Sequence, residues 1–256
     1  DVWLGNAQSL IEQGIVTLQD AICCRDDIMI YLIKMGLPPN PAFKIMETVR
    51  KGKALKDPAK WEEYKTMMKE HNVPDWYIKS CEKIKYMFPK AHAAAYVTNA
   101  FRIAWFKVHM PLAYYAAFFS IRGKDDFDSD CMIFGKEKVK NKMKEIDLLG
   151  NSATQKDKTM YPILELVLEM YERGFEFLPM DLYKSDATKF IVEDNALRPP
   201  LNSIPGLGTV AALGIAEARK DGKFMSIDDL KIRSKVGNSV TDILKKYGCL
   251  KGMSQS

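Results

Sequence analysis

The sequence predicts a mainly α protein: a helical domain over residues 1–174, then a smaller α+β domain over 175–256 that ends in two short helical hairpins. Three observations predict this. Apolar residues recur at three- and four-residue spacing through most of the first part. Helix-starting and helix-stopping residues, among them Asp57-Pro58, Pro74, Gly36 and Gly174, bracket those runs. Beyond Gly174 the pattern changes to short β-rich pieces and then to helices punctuated by glycine.

The elements follow in order. "LGNAQSLIEQGIVTLQDAICCRDDIMIYLIKMG" reads as helical, with Thr17 or Asp20 as caps and Gly36 closing the second helix. Ile28, Tyr31, Leu32 and Met35 supply its buried face. After the turn at 38–41 a helix runs through Val49 and stops at the basic "RKGK". Asp57-Pro58 opens a helix through Lys69, and "NVPDWYIKSCEKIKYMF" gives another, with Pro74 at its start. Next come "FPKAHAAAYVTNAFRIAWFKVHMP", residues 88–111, and the aromatic "LAYYAAFFSIRG". Residues 125–130, "DDFDSD", form an acidic turn, and 136–144 a charged helix. "GNSATQKDK" reads as a loop, and "MYPILELVLEMYERG" as an amphipathic helix ended by Gly174. Short strands are expected at 175–178 and 189–192.

Composition narrows the function. With 47% hydrophobic and 28% charged residues the chain is globular, neither disordered nor a membrane protein. Its longest apolar candidate, 96–119, is broken by Asn99, Arg102, Lys107, His109 and Pro111, so no membrane partner is expected. The five cysteines include no C-x-x-C and the histidines number three, which argues for a reducing cytoplasm and against a zinc site. The chain opens on Asp1 without a methionine and reads as a piece of something longer. Residues 44–107 hold fourteen Lys/Arg against seven Asp/Glu, a net of +7, while the rest nets −2. Trp61, Tyr64, Trp76, Tyr77, Tyr86 and Tyr96 interleave these cations. That suits a polyanion, although solvated helix faces give the same count.

The strongest local signal is "SIPGLGTVAALGIAEA", residues 203–218. Gly206 and Gly208 bracket Leu207 in a tight turn that starts a helix at Thr209, an arrangement that turns several N–H groups outward and binds phosphate. Ile204, Leu207, Val210 and Leu213 are expected to anchor it to the core. A weaker second copy places Gly237, Asn238 and Ser239 at the turn, without a second glycine. No G-K-[ST] follows and no strand precedes, so neither a P-loop nor a dinucleotide fold fits. In "RKGK", Arg50, Lys51 and Lys53 suit either phosphate or merely a helix C-terminus. On a helix begun near His92, the residues His92, Tyr96, Asn99 and Arg102 share one broad face, with Lys90 just before it. Such a set can hold a triphosphate and an aromatic base. The aspartates of "DDFDSD" sit on no rigid support and are not expected to bind metal.

These residues together resemble the C-family bacterial replicative DNA polymerases. "FPKAHAAAY" resembles their signature F-x-K-[SA]-H-A-A-A-Y, "VRKGK" the basic turn before it, and "RGFEFLPMDLYKSDATKFIVEDNALRPPLNSIPGLGTVAALGIAEAR" the segment that follows, ending in their helix-hairpin-helix region. The Pro89-Lys90-Ala91-His92 form and the opening "DVWLGNAQSLI" are most similar to the PolC type of low-GC Gram-positive bacteria. The resemblance implies a fingers domain over 1–174 and a duplex-binding domain over 175–256, with hairpins at 203–250. It implies that Lys90, His92, Tyr96, Asn99 and Arg102 bind the incoming dNTP. Arg50, Lys51 and Lys53 would face phosphates, and Gly206, Leu207, Gly208, Thr209, Gly237, Asn238 and Ser239 the duplex backbone of a primer-template. The family's catalytic aspartates and Mg²⁺ belong to a palm outside this sequence. Partners are therefore the palm, thumb and exonuclease portions of the polymerase, in the bacterial nucleoid, and this piece alone is expected not to polymerise. The clamp-docking peptide of the PolC branch is missing at "GMSQS", which gives no basis for sliding-clamp binding. A stand-alone helix-hairpin-helix DNA-binding module is the alternative, and it needs no nucleotide pocket.

Overall fold

The computed structural model describes all 256 residues and holds thirteen α-helices with a single two-stranded sheet. The protein is mainly α, as its periodicity predicts. No helix is long and apolar enough to cross a membrane. Packing divides the chain into two compact units, Asp1–Arg102 and Ile103–Ser256, and the division falls within one helix, α6 (Lys90–His109).

The first unit contains α1 (Gln8–Glu12), α2 (Arg25–Lys34), α3 (Pro39–Arg50), α4 (Pro58–Glu70) and α5 (Asp75–Lys83). Its core joins Ile28 and Leu32 of α2 to Ile45 and Val49 of α3, Trp61 and Met68 of α4, and Tyr77 and Cys81 of α5. Tyr31 stacks on Tyr77 at 4.0 Å, which closes α2 on α5. Neither Thr17 nor Asp20 caps a helix. Thr17 donates to Asp20 within the preceding turn at 2.5 Å. The cap of α2 is built instead by Asp27, whose carboxylate accepts from the Cys23 and Cys24 N–H groups at 3.1 and 3.0 Å. Asp57 caps α4 as expected, accepting from the Lys60 N–H at 3.2 Å. α5 stops short of the expected 88. Ile84 turns extended, the Met87 N–H donates to the Arg50 carbonyl at 3.1 Å, and Phe88 accepts from the Arg25 N–H at 3.1 Å. Long-range hydrogen bonds there replace the helical ladder.

The second unit contains α7 (Pro111–Ile121), α8 (Ser129–Met132), α9 (Lys136–Leu149) and α10 (Gln155–Glu172). These are followed by the antiparallel pair β1 (Ile191–Glu193) and β2 (Ala196–Arg198), then α11 (Thr209–Ala218), α12 (Ile227–Ser234) and α13 (Asn238–Lys246). The stretch expected as a loop at 150–158 already starts α10 at Gln155. Thr154 and Asp157 form a reciprocal capping box across that start. The expected strand at 175–178 reduces to a bridge from Phe177 to Leu197. The second expected strand shifts to 191–193, where the Asp194-Asn195 turn, both residues at positive φ, pairs it with β2. Arg198 lies buried at this corner and donates to Glu193 at 2.7 and 2.9 Å and to the Pro179 carbonyl at 2.7 Å.

One core runs through this unit from Leu112 to Leu250. Phe119, Phe127, Phe177 and Phe190 cluster with ring centroids 4.7–6.2 Å apart, and Tyr171 packs on Phe177 at 5.7 Å. Residues before and after 174 thus share one hydrophobic interior.

Candidate nucleic-acid interface

The first hairpin is built from Leu201–Ser203, a single 3₁₀ turn, and α11. Between them Ile204 and Leu207 are buried, so the chain is pinned on both sides of Gly206. Gly206 has φ +86°, a conformation that L side chains rarely adopt, and a Cβ there would lie 2.9 Å from Ile243 Cδ1 of α13. Gly206 is therefore required by the fold itself. Beyond the turn the anchor differs from expectation. Val210 and Leu213 are 86% and 52% exposed, and Ala212 and Ile215 face the core in their place. The helix is rotated because Gly214 packs against α12, where a Cβ would sit 2.7 Å from the Ser234 carbonyl oxygen.

Gly208 is different in kind. Its φ of −69° and ψ of 159° suit any residue, and a Cβ built on it meets nothing within 4 Å. The second hairpin repeats this. Gly237 begins α13 with φ −89° and ψ 179°, and its Cβ also points into open space. Folding does not demand glycine at either position.

Three helices meet here, and their N-termini are treated differently. In α12, Ser226 accepts from the Asp229 N–H at 3.1 Å. Its Ile227 and Asp228 N–H groups donate to the Ser254 and Gln255 carbonyls at 2.9 and 3.1 Å. That N-terminus is satisfied. α11 and α13 have no side-chain cap, and the first N–H to find an intrahelical acceptor belongs to Ala212 in one and Thr241 in the other. The amides of Thr209, Val210 and Ala211, and of Asn238, Ser239 and Val240, are left for solvent or a ligand. Two glycine-led helices thus present bare, positively polarised ends, and exposed Thr209, Asn238 and Ser239 flank them. Asn202 donates to Thr209 Oγ1 at 3.3 Å and adds no charge.

The other expected site residues lie in or beside α6. Its twenty residues include none that is buried. At 3.6 residues per turn, His92, Tyr96, Asn99 and Arg102 fall along one side, and Val97, Phe101, Trp105 and Val108 along the other. Phe88, His92 and Tyr96 form an exposed ladder with centroids 4.8 and 4.3 Å apart and rings within 22° of parallel, and Tyr86 meets Phe88 edge-on at 4.9 Å. Arg102 pairs with no carboxylate, and the Lys90 N–H is fixed by Asp26 at 2.7 Å. The helix is pinned near its C-terminal end: Lys107 donates to Glu169 at 2.8 Å, and Arg173 donates to the Lys107 carbonyl at 3.0 Å. Tyr115 donates to the same Glu169 at 2.6 Å.

The basic turn is less free than its sequence suggests. Glu47 binds both Arg50 and Lys51, and these hydrogen bonds, Arg50 first, hold its carboxyl down at about 2. Lys53 and Lys56 remain exposed without a carboxylate. Gly52 shapes the turn, since its φ is +63° and a Cβ would press within 2.3 Å of the Lys85 carbonyl oxygen. The acidic turn is occupied by structural duties. Asp128 caps α8 through the Asp130 N–H, Asp126 accepts from Thr159, and Asp130 accepts from Tyr247 at 2.6 Å and from Lys246. No three His, Cys, Asp or Glu side chains converge as metal ligands.

Comparison with known proteins agrees with this geometry. A helix-hairpin-helix motif family matches residues 174–256. The chain is 56% identical over 253 residues to the "DNA polymerase III PolC-type" of Oceanobacillus iheyensis, covering 99% of this chain and 17% of that protein. The Bacillus subtilis protein of the same name gives the same figures. That of Caldanaerobacter subterraneus is 53% identical over 256 residues, covering 100% and 18%. The chain thus spans less than a fifth of the length of these relatives.

Proposed function

We propose, for a chain that belongs as a portion to the PolC-type DNA polymerase III family, that it supplies the duplex grip and the incoming-nucleotide face of a replicative DNA polymerase. One observation carries the duplex grip: Gly208 and Gly237 stand where the fold needs no glycine, directly before the two uncapped helices. A side chain at either position would occupy the space into which the amides point. A phosphate oxygen fits there, accepting from the Thr209 and Val210 N–H groups in one hairpin and from the Asn238 and Ser239 N–H groups in the other. Contacts of this kind hold the sugar–phosphate backbone without reading sequence, as a replicative enzyme requires.

On α6, Lys90 and Arg102 bind the phosphates of a dNTP, and the Phe88–His92–Tyr96 ladder offers an aromatic face for base or sugar. Lys53 and Lys56 add positive field beside the template-primer. The opposite side of α6, with Phe101 and Trp105 exposed at 72% and 52%, is covered by parts of the polymerase outside this chain. Mg²⁺-assisted phosphoryl transfer belongs to a palm supplied elsewhere, so this chain alone binds nucleotide and DNA but extends no primer. The test is binding of a primer-template duplex with and without dNTP. Tightening by dNTP that Arg102→Ala removes supports the nucleotide face. Duplex binding indifferent to dNTP and to Arg102 reduces the chain to a helix-hairpin-helix module.

A further inference from the structure

A groove of about 820 Å³ opens beside the first hairpin, and neither the sequence motifs nor the comparisons assign it a role. It is lined by the small residues Ala116, Ala117 and Ser120 of α7 and by Gly208 and Thr209 at the bare end of α11. Lys124 follows α7 and Lys189 precedes β1. Both line the groove, both are exposed, and neither pairs with a carboxylate. The segment that carries Lys189 is tied to α7 by the Phe190 N–H, which donates to Ser120 Oγ at 2.8 Å. Asp125 is the single acidic lining residue, so the groove carries a net positive charge.

Three features together select the occupant. The groove is continuous with the α11 amides, whose ligand under the reading above is a backbone phosphate. Its unpaired cations are lysines, which bind phosphate as point charges and read no base. Ala116, Ala117 and Ser120 of α7 are small, so a chain can lie close to that helix. We propose that this groove carries the DNA strand gripped by the first hairpin, with Lys124 and Lys189 neutralising phosphates next to the one held by the α11 amides. The inference rests on the hairpin reading and extends it from a point contact to a track along one strand.

The test is the salt dependence of duplex affinity for this chain, as wild type, as Lys124→Ala and Lys189→Ala singly, and as the pair. Each phosphate contact contributes about 0.9 to the slope of log affinity against log salt. The proposal therefore predicts a slope shallower by about 1 for each single variant and by about 2 for the pair. Lys144→Ala on α9, an equal charge change away from the groove, is expected to leave the slope unchanged. Thermal melting checks that each variant is folded. A paired variant with the wild-type slope, alongside a Gly208→Asp variant that loses duplex binding, overturns the groove and leaves the hairpin standing. If Gly208→Asp binds duplex normally, the hairpin reading fails and the groove inference fails with it.

Discussion

Replacing Gly208 by Asp should move stability and DNA binding in opposite directions. The backbone at 208 already has the extended angles of a helix N-cap, and the new Cβ meets no atom within 4 Å. An Asp there can accept from the free amides of α11. Relative to glycine this cap is worth a few tenths of a kcal/mol, and a carboxylate at the helix N-terminus adds about 0.3–1 kcal/mol. For a unit of this size, a gain of about 0.5–1.5 kcal/mol raises the melting temperature by roughly 1–6 °C. On the DNA side, the carboxylate takes the phosphate's place and repels its neighbours. At ~4 Å that repulsion is about 1 kcal/mol in water and about 4 kcal/mol near a protein surface, a loss of roughly 5-fold to 1,000-fold in affinity. Calorimetry and fluorescence anisotropy on one preparation read both numbers. A more stable protein with undiminished duplex affinity would refute the reasoning, because the α11 amides would then not be the phosphate site.

Three further predictions concern the scaffold. Gly52→Ala combines a positive φ with a 2.3 Å approach to the Lys85 backbone oxygen, which cannot swing aside as a side chain can. It should destabilise the first unit by about 2–4 kcal/mol in urea unfolding, and a loss under 0.5 kcal/mol would show that the turn relaxes freely. Tyr115→Phe removes a hydroxyl that donates to Glu169 and accepts from Arg173 at 3.0 Å, at an expected cost of about 1–2 kcal/mol; an unchanged melting temperature would contradict this. The third concerns acid. Hydrogen bonds from Arg198 and then Lys184 hold the Glu193 carboxyl at about 2, below its ordinary 4.5. A carboxyl depressed in the folded state lends stability that is complete above its unfolded value and fades as pH falls towards its folded one. Melting temperature should thus decline between pH 4.5 and about 2, less steeply in Glu193→Gln, and equal slopes for the two proteins would remove Glu193 from the account.

What the sequence disclosed depended on whether the deciding contact was local. Asp57 before Pro58, Gly36 after α2 and the Gly206-Leu207-Gly208 turn act within a few residues of themselves, and each could be read directly. Val210 and Leu213 could not. Helical spacing alone allows either them or Ala212 and Ile215 to face inward, and the choice is made by Gly214 against Ser234, twenty residues away. The early end of α5 likewise follows from hydrogen bonds to Arg50 and Arg25, which no local pattern announces. The Thr154–Asp157 cap was the opposite case, a local signal hidden by polar neighbours. Within the candidate site, the motif residues were legible because glycine and cations stand out in sequence. The distinction between them was not: Gly206 serves the fold, whereas Gly208 is free for a partner, and only backbone angles separate the two. Lys124 and Lys189 gather at the hairpin through tertiary packing, and no spacing in the chain links them.

The most direct test of the account follows the backbone amides themselves. In a titration of the isotopically labelled chain with duplex DNA, monitored by amide NMR, the largest shifts should fall at Thr209, Val210 and Ala211 and at Asn238, Ser239 and Val240. They should shrink as salt is raised, while Ile227 and Asp228, whose N–H groups are already satisfied by the C-terminal segment, should move little. Shifts concentrated at α12, or spread over the surface without the two glycine-led helices, would contradict the claim that these uncapped ends hold the DNA backbone.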